Sequence, residues 1–530
     1  MANTDTPGRR TEGGERAADV RPPGDGGDAC PGALRLHLAD DGPLARVRIP
    51  GGVLTTAQTE ALAHAAHHLG DGELHLTSRG NVQLRALRTE TCGADLATVL
   101  HTAGLLPSAT HERVRNIVAS PLSGLDGRGH RDLAPWLHAL DTLLCASTPA
   151  AHLSGRFLFA LDDGRGDMAS LEPDITLVAG PQSTATVRIG ATATLTVPAE
   201  DAPRIAVHAA EAFVEAARSA GTDRVWRLAD LPGGPEAVRA LAREVAHRPD
   251  VTATLTDSAT ATPTDPAHAT TTAHATATDT TYIPVTPTPG AFHGGVSVGV
   301  PLGRFTPAQW TAVRHIAART GLGVRLTPWR GAVLPGATSA DLVALAAVGL
   351  VTEPGSPWTG ITACIGRPGC AKSLADVRSD AQTAVHQAHV PAEHRTDAQT
   401  AVRAHVPKES RTDSQAEPVQ PAEPVQPAVP VQPAVPVQPA EPAEPAEPVQ
   451  PPEPVQPPEP AQAAEAAELP VHWSGCARRC GRPRGDRVDV VAVGGGYEVT
   501  AVRAGGAGRP TSVTGTSSLA ATVAAARTGT

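Results

Sequence analysis

The stretch ARVRIPGGVLTTAQTEALAHAAHHLGDGELHLTSRGNVQLRAL fills residues 45–87, and GVSVGVPLGRFTPAQWTAVRHIAARTGLGVRLTPWRGAVLPG fills residues 295–336. At a single offset Pro50 meets Pro301, Thr55 meets Thr306 and Gln58 meets Gln309. In both copies Thr-x-x-Gln marks the start of a helix, because Thr accepts an amide of the first turn and Gln reaches back. Pro307 follows at the first helical position, where its missing N–H does no harm. Apolar residues then recur at helical spacing: Ala61, Leu62, Ala65, Ala66 and Leu69 in one copy, Trp310, Val313 and Ala317 in the other. A short alternating strand follows, with Leu74 and Leu76 or Val324 and Leu326, and ends in Arg79-Gly80 or Arg330-Gly331. The unit is strand, helix, strand, used twice. It predicts an α+β fold with pseudo-twofold symmetry and helices on one face of each sheet. A cleft where two copies meet favours a ligand site.

Outward from this core, composition separates folded from unfolded chain. The 530 residues carry a net charge of −10. Pro recurs at every third position from Pro418 to Pro451, a period that suits polyproline II. DAQTAV at 380–385 returns at 397–402, so 381–468 reads as one low-complexity insertion. That insertion holds 13 acidic and 4 basic residues, a balance of −9, which leaves the remainder at −1. Residues 1–28 and the Thr/Ala run 252–281 also offer little to bury. The irregular histidines of these tracts (His268, His274, His386, His389, His394, His405) do not make a metal-site pattern.

The net charge has the wrong sign for a bulk nucleic-acid or membrane-surface binder. No apolar run reaches the roughly 18 residues that a membrane helix needs. The polar N-terminus lacks the apolar core of a secretory leader, so a cytoplasmic, reducing setting is expected. There, metal or redox roles for cysteine outrank disulfides.

Four of the seven cysteines form two pairs: Cys364 and Cys370 in CIGRPGC, Cys476 and Cys480 in SGCARRCG. Gly366, Pro368 and Gly369 suit a backbone wrapped around something bulky. The i, i+4 spacing of the second pair predicts a helix with both sulfurs on one face, capped by Ser474. Arg478 and Arg479 would offset thiolate charge. Four thiolates hold either a structural zinc or an iron–sulfur cluster, and the five-residue spacer suits the larger group. Cys30, Cys92 and Cys145 are isolated and read as small buried hydrophobes.

LTSRGNVQL (76–84), RNIVASP (115–121) and the cysteine quartet resemble the nitrite/sulfite reductase superfamily, whose members set sirohaem beside a [4Fe–4S] cluster on duplicated ferredoxin-like half-domains. Within it, CPGALRLHLADDGPLARVRIPGG (30–52), RNIVASPLSGLD (115–126), LSGRFLFALDDG (153–164), TACIGRPGCAKSLADVR (362–378) and VHWSGCARRCGRP (471–483) look most like the precorrin-3B synthases of aerobic cobalamin biosynthesis. The resemblance implies that Cys364, Cys370, Cys476 and Cys480 ligate a [4Fe–4S] cluster. It implies catalytic or macrocycle-binding roles for Arg79, Arg115 and Arg156, with Gln83, Asn116 and Arg330 contacting substrate. It implies an oxidoreductase, a monooxygenase that hydroxylates precorrin-3A with O2 and closes a γ-lactone. Electrons would come from an unidentified donor, and a non-haem iron would accompany the cluster. Arg suits such a substrate, since its planar fork matches carboxylates.

The implied organisation is a tail (1–29), a first ferredoxin-like unit (30–110) and a first cluster/tetrapyrrole-type α+β domain (111–251). A linker (252–284), a second ferredoxin-like unit (285–350) and a cluster-binding domain (351–380 with 469–530), interrupted by the insertion, complete it. One departure separates the two enzyme types. Sulfite reductases carry Lys-x-Lys where this chain has Arg156-Phe157-Leu158, so one cation is replaced by an apolar residue. That favours the synthase over a sirohaem-dependent reductase. A zinc-stabilised scaffold whose Pro-rich arm recruits partners is the third reading.

Overall fold

The computed structural model describes residues 28, 30–88, 92–221, 224–257, 287–389, 468–483, 485–503 and 506–528. All belong to one compact unit, Met1–His389 with Glu468–Thr530. The tail before Asp28, the Thr/Ala tract 258–286 and the Pro-rich segment 390–467 lie outside the described residues, and so do His268, His274, His394 and His405.

The two copies fold alike and complete each other. Helices Thr56–Leu69 and Pro307–Thr320 both start with the expected reciprocal cap. Thr55 Oγ1 accepts from Gln58 N–H at 3.2 Å, and Thr306 Oγ1 from Gln309 N–H at 3.3 Å. The first sheet runs His37–Ala39, Gly42–Val47, Val82–Leu84, Leu74–Leu76 and then Arg304–Phe305, a strand lent by the second copy. The second sheet runs Gly290–Phe292, Gly295–Gly299, Gly331–Pro335, Val324–Leu326 and then Val53–Leu54, lent by the first. Each half thus covers the other's sheet edge, which an isolated half would leave open. The two helices share one core with both sheets, built on Leu54, Leu62, Leu74, Phe305, Val313 and Val324. Each large apolar side chain buried there contributes about 1.5–3 kcal/mol.

One equivalence drawn from the sequence shifts by a residue. Thr77 Oγ1 accepts from Asn81 N–H at 3.1 Å, and Thr327 Oγ1 from Gly331 N–H at 3.0 Å, so these two turns are the matching ones. Arg330 (φ 59°) then stands where the first copy has Gly80 (φ 66°), and Trp329 stands opposite Arg79. The Arg-Gly pairs are not equivalent. The second copy is one residue shorter between its helix and strand.

The duplication extends to the larger domains. In the first, Ile117–Ala119, Phe159–Asp162 and Ile175–Ala179 lie parallel, and Thr184–Ile189 turns antiparallel. In the second, Ile361–Ala363, Val471–Ser474 and Arg487–Val493 lie parallel, and Gly496–Arg503 turns antiparallel. A helix pair backs each sheet: Ala134–Ala146 with Ala202–Ser219, and Val377–His389 with Thr516–Thr528. Ser120 N–H donates to Leu161 O at 3.0 Å as Cys364 N–H donates to Trp473 O at 2.9 Å. Asp163 N–H reaches Ser120 Oγ at 3.3 Å as Gly475 N–H reaches Cys364 Sγ at 3.2 Å. Asp126 follows Ser120 at the spacing by which Cys370 follows Cys364. In the first domain Arg165 fills this place with a guanidinium, bound to Asp126 at 2.9 Å and Asp163 at 2.7 Å.

Three local expectations change. Cys476–Cys480 is a turn after the strand Val471–Ser474, with Arg479 at φ 48°. A left-handed residue breaks helical periodicity, so Ser474 ends a strand and caps nothing. The helix Val377–His389 runs through the start of the segment read as insertion, and Ala381, Ala384 and Val385 are buried. Thr254–Asp257, at the start of the Thr/Ala run, pairs with Ala193–Pro198. No helix among the described residues is long and apolar enough to cross a membrane.

Candidate functional site

The second of these larger domains brings the four expected cysteines together. Burial and then the charges of Cys364, Cys476 and Cys370 push the Cys480 thiol above its ordinary value, with Arg478 opposing. Cys480 is exposed and the other three are half-buried. Glycines make room at the loops. A Cβ on Gly475 would lie 1.8 Å from Ser373 Oγ, and one on Gly366 would lie 2.9 Å from a Val377 methyl.

A single tetrahedral zinc at about 2.3 Å from each sulfur would bring thiolates within about 3.8 Å of one another. Among the described residues, the one set of three or more ligand atoms lying within 4.8 Å of one another is Asp71, Glu73 and His75, so no three thiols meet that limit. An iron–sulfur cluster takes four thiolates at a wider spacing than a single zinc does.

The Asp71–Glu73–His75 set is already satisfied by neighbouring cations. Asp71 Oδ2 lies 2.9 Å from His75 Nε2, Arg304 Nη1 lies 3.1 Å from Glu73, and Arg378 Nη1 lies 3.3 Å from His75 Nδ1. Two guanidiniums on its flanks disfavour a further cation.

A second group of cations lies around the carbonyl of Gly155. Arg48 Nη2 donates to it at 3.3 Å and Arg79 Nη1 at 3.4 Å. With its amide oxygen turned to Arg46, Gln83 accepts from Arg46 Nη2 at 2.5 Å and Nε at 3.3 Å. Among the described residues none of Arg46, Arg48 and Arg79 has a carboxylate within 4 Å. Burial, then neighbouring cations, lowers Arg48 to about 9; burial, then Arg227, lowers Arg79 to about 10. Buried cations without counter-ions are costly, and an anionic ligand relieves that cost. Arg156 is 45% exposed and stacks 4.1 Å from the ring centroid of Trp226. Asp28 accepts from Gly155 N–H at 2.7 Å and Ser154 Oγ at 2.9 Å.

The remaining expected residues divide. Arg330 sits by the second cysteine pair, where a Cβ on Gly481 would lie 3.3 Å from its Nη2. Burial lowers its affinity for the proton. Nearby His472 donates through Nε2 to Cys480 O at 3.1 Å, and burial and Arg330 hold it down at about 4, so it stays neutral. Arg115 and Asn116 are spent within the chain. Arg115 grips Asp141 through two bonds of 2.7 Å and Leu105 O at 3.0 Å. Asn116 donates to Phe157 O at 2.9 Å and accepts from Asn81 at 3.1 Å. Arg115 also lines a 310 Å³ cavity with Ser120, His138 and Arg325. Arg325 too is engaged there, donating to Pro121 O and Ser123 O.

Sequence reasoning passed over Arg46 and Arg48, though their i, i+2 spacing in ARVRIPGG puts them on one strand face. Cys30, read as a buried hydrophobe, is half-buried beside Asp28, Arg46 and Arg48. Cys145 is also half-buried, next to Asp141 and Arg115. The side chain of Cys92 lies outside the described residues.

Parts of this chain are similar to known proteins. Residues 39–93 and 293–348 match the nitrite/sulfite reductase ferredoxin-like half domain. A ferredoxin–nitrite reductase of Synechococcus elongatus is 34% identical over 135 residues, 24% of this chain and 26% of that protein. A precorrin-3B synthase of a Sinorhizobium species is 31% identical over 152 residues, 28% of this chain and 32% of that protein. These matches span about a quarter to a third of the curated relatives. The solved structure of the Mycobacterium tuberculosis NirA protein superposes with a TM-score of 0.56 at 18% identity, over 90% of this chain and 79% of that one. At that identity the likeness is one of fold.

Proposed function

From a chain built on two half domains of the nitrite/sulfite reductase ferredoxin-like family, we propose an oxidoreductase that binds an anionic tetrapyrrole beside a [4Fe–4S] cluster. The reading we favour is precorrin-3B synthase: O2-dependent hydroxylation of precorrin-3A with γ-lactone formation in cobalamin biosynthesis. One observation carries it. Leu158, at the place of the second reductase lysine, is 2% exposed and packs with Val118, Ala160, Met168 and Trp329. Leu158 supplies no cation there to feed protons to a small oxyanion. Arg46, Arg48 and Arg79, which have no carboxylate within 4 Å among the described residues, would serve the carboxylate arms of a macrocycle.

Cys364, Cys370, Cys476 and Cys480 would hold the cluster, which supplies single electrons when bound. The chain's own residues do the rest. Arg48 and Arg79 orient carboxylates through charge-assisted bonds. Arg156, stacked on Trp226, is held at the accessible edge. Neutral His472 fixes the Cys480 carbonyl without adding charge.

Anaerobically purified protein provides the test. Cys364→Ala and Cys480→Ala lose the visible absorbance and labile sulfide together; a full cluster in both variants refutes the ligand set. Bound sirohaem with dithionite-driven sulfite or nitrite reduction would replace this reading by the reductase one. A single zinc without sulfide would favour the scaffold.

A further inference from the structure

The network around Arg378 belongs to none of the roles above. Arg378 lies on the helix Val377–His389, and its Nε donates to the carbonyl of Cys364 at 3.2 Å. Its Nη1 lies 3.3 Å from His75 Nδ1, on the first sheet. The other nitrogen of His75 lies 2.9 Å from Asp71 Oδ2. A guanidinium can only donate, so Nδ1 accepts and Nε2–H donates to Asp71. The chain Asp71–His75–Arg378–Cys364 thus ties the first half-domain to one cysteine of the quartet.

Asp71 carries the negative end of this chain, and Arg378 stands at the Cys364 end. Among the described residues Arg378 has no carboxylate within 4 Å, and its guanidinium lies against the Cys364 carbonyl and His75. Its counterpart in the first domain, by the spacing from Cys364 and Ser120, is Ala134. That domain holds Arg165 instead of four thiols, and there the position carries no cation.

We propose that Arg378 is a positioning residue that clamps Cys364 to the first half-domain and makes the cluster easier to reduce. The inference rests on the cluster reading. Reduction adds one electron from a one-electron reductant and no proton, so the thiolate-bound group gains one negative charge. A fixed cation in a low-dielectric setting stabilises that product more than the oxidised form.

The experiment is an EPR-monitored redox titration of the full chain with dithionite and mediators. Iron and labile sulfide are measured on the same samples. Arg378→Met is expected to keep its cluster and to lower the midpoint by about 59 mV or more, a tenfold shift for one electron. Arg378→Lys keeps the charge and should shift less. If the Met variant loses the cluster and the Lys variant keeps it, the need for a cation is supported. An unmoved midpoint in a fully loaded Met variant overturns the inference, as does cluster loss in both variants. Wild-type protein without iron and sulfide overturns the cluster reading itself, and this inference with it.

Discussion

At the residue scale, the proposed function turns on whether buried cations meet anions. Arg48 and Arg79 have their proton affinities lowered to about 9 and about 10, with burial the first cause. A cation with a depressed folded value is charged at neutral pH and loses its charge as pH rises through that value. Binding of an anionic macrocycle should therefore be flat from pH 6 to pH 8 and weaken above about pH 9. Uroporphyrin, an octacarboxylate macrocycle, is a suitable probe by fluorescence titration. Because the bound anion raises both values, the inflection should sit above that of the free protein. Arg79→Met should weaken binding at pH 7.5 by ten- to a hundredfold, since a hydrogen bond to a charged group contributes about 1.5–3 kcal/mol. Affinity indifferent to both the substitution and high pH would move the ligand elsewhere.

At the element scale, the exchange of edge strands between the two halves makes a sharp demand on one loop. Gly321 and Gly323 both have left-handed φ, 70° and 69°. Among the described residues nothing lies within 4 Å of a Cβ added at Gly321, whereas at Gly323 a Cβ would sit 2.0 Å from the backbone oxygen of Leu54 on the lent strand. Gly321→Ala should cost about 1–2 kcal/mol, the left-handed penalty alone. Gly323→Ala should cost clearly more, because backbone must move and the pairing of Val324 with Leu54 is lost. Paired thermal melts check this, and equal losses would show that the strand exchange adds nothing.

The same elements show what was legible in the sequence. Thr55-x-x-Gln58 and Thr306-x-x-Gln309 are local chemistry, so the helices and their duplication could be read directly. The strand exchange could not, because Val53–Leu54 and Arg304–Phe305 are two-residue strands whose partners lie across the repeat. The second duplication was hidden because its matching residues, Ser120 with Cys364 and Asp126 with Cys370, share backbone geometry but not chemistry. The Cys476–Cys480 turn was missed because i, i+4 spacing also fits a turn broken by a left-handed Arg479. Of the candidate site, the cysteines were legible from pairing. That Arg115 is spent on Asp141, and Arg79 is not, depended on residues distant in sequence.

At the scale of the whole molecule, residues 390–467 lie outside the described fold. The helix Val377–His389 ends at the segment, and Glu468, just beyond it, pairs with Arg527 at 2.9 Å. Residues 390–467 therefore join two points of one folded domain, as a 78-residue connection. Loop closure costs only about 0.6 kcal/mol per doubling of length, so replacing the segment by a bridge of ten Gly and Ser residues should stabilise the fold by roughly 2 kcal/mol or less. Iron content and turnover should stay near wild type if the segment is a neutral expansion. A cut that begins at residue 381 is a different experiment, although composition alone would choose it. It removes Ala381, Ala384 and Val385 from the core they form with the sheet and the helix Thr516–Thr528. It also truncates the helix that carries Arg378, and it should cost several kcal/mol. Cluster loading and thermal unfolding of the two deletions, measured side by side, decide where the folded domain ends and the insertion begins. Loss of loading in the shorter deletion would instead make the Pro-rich segment part of the enzyme.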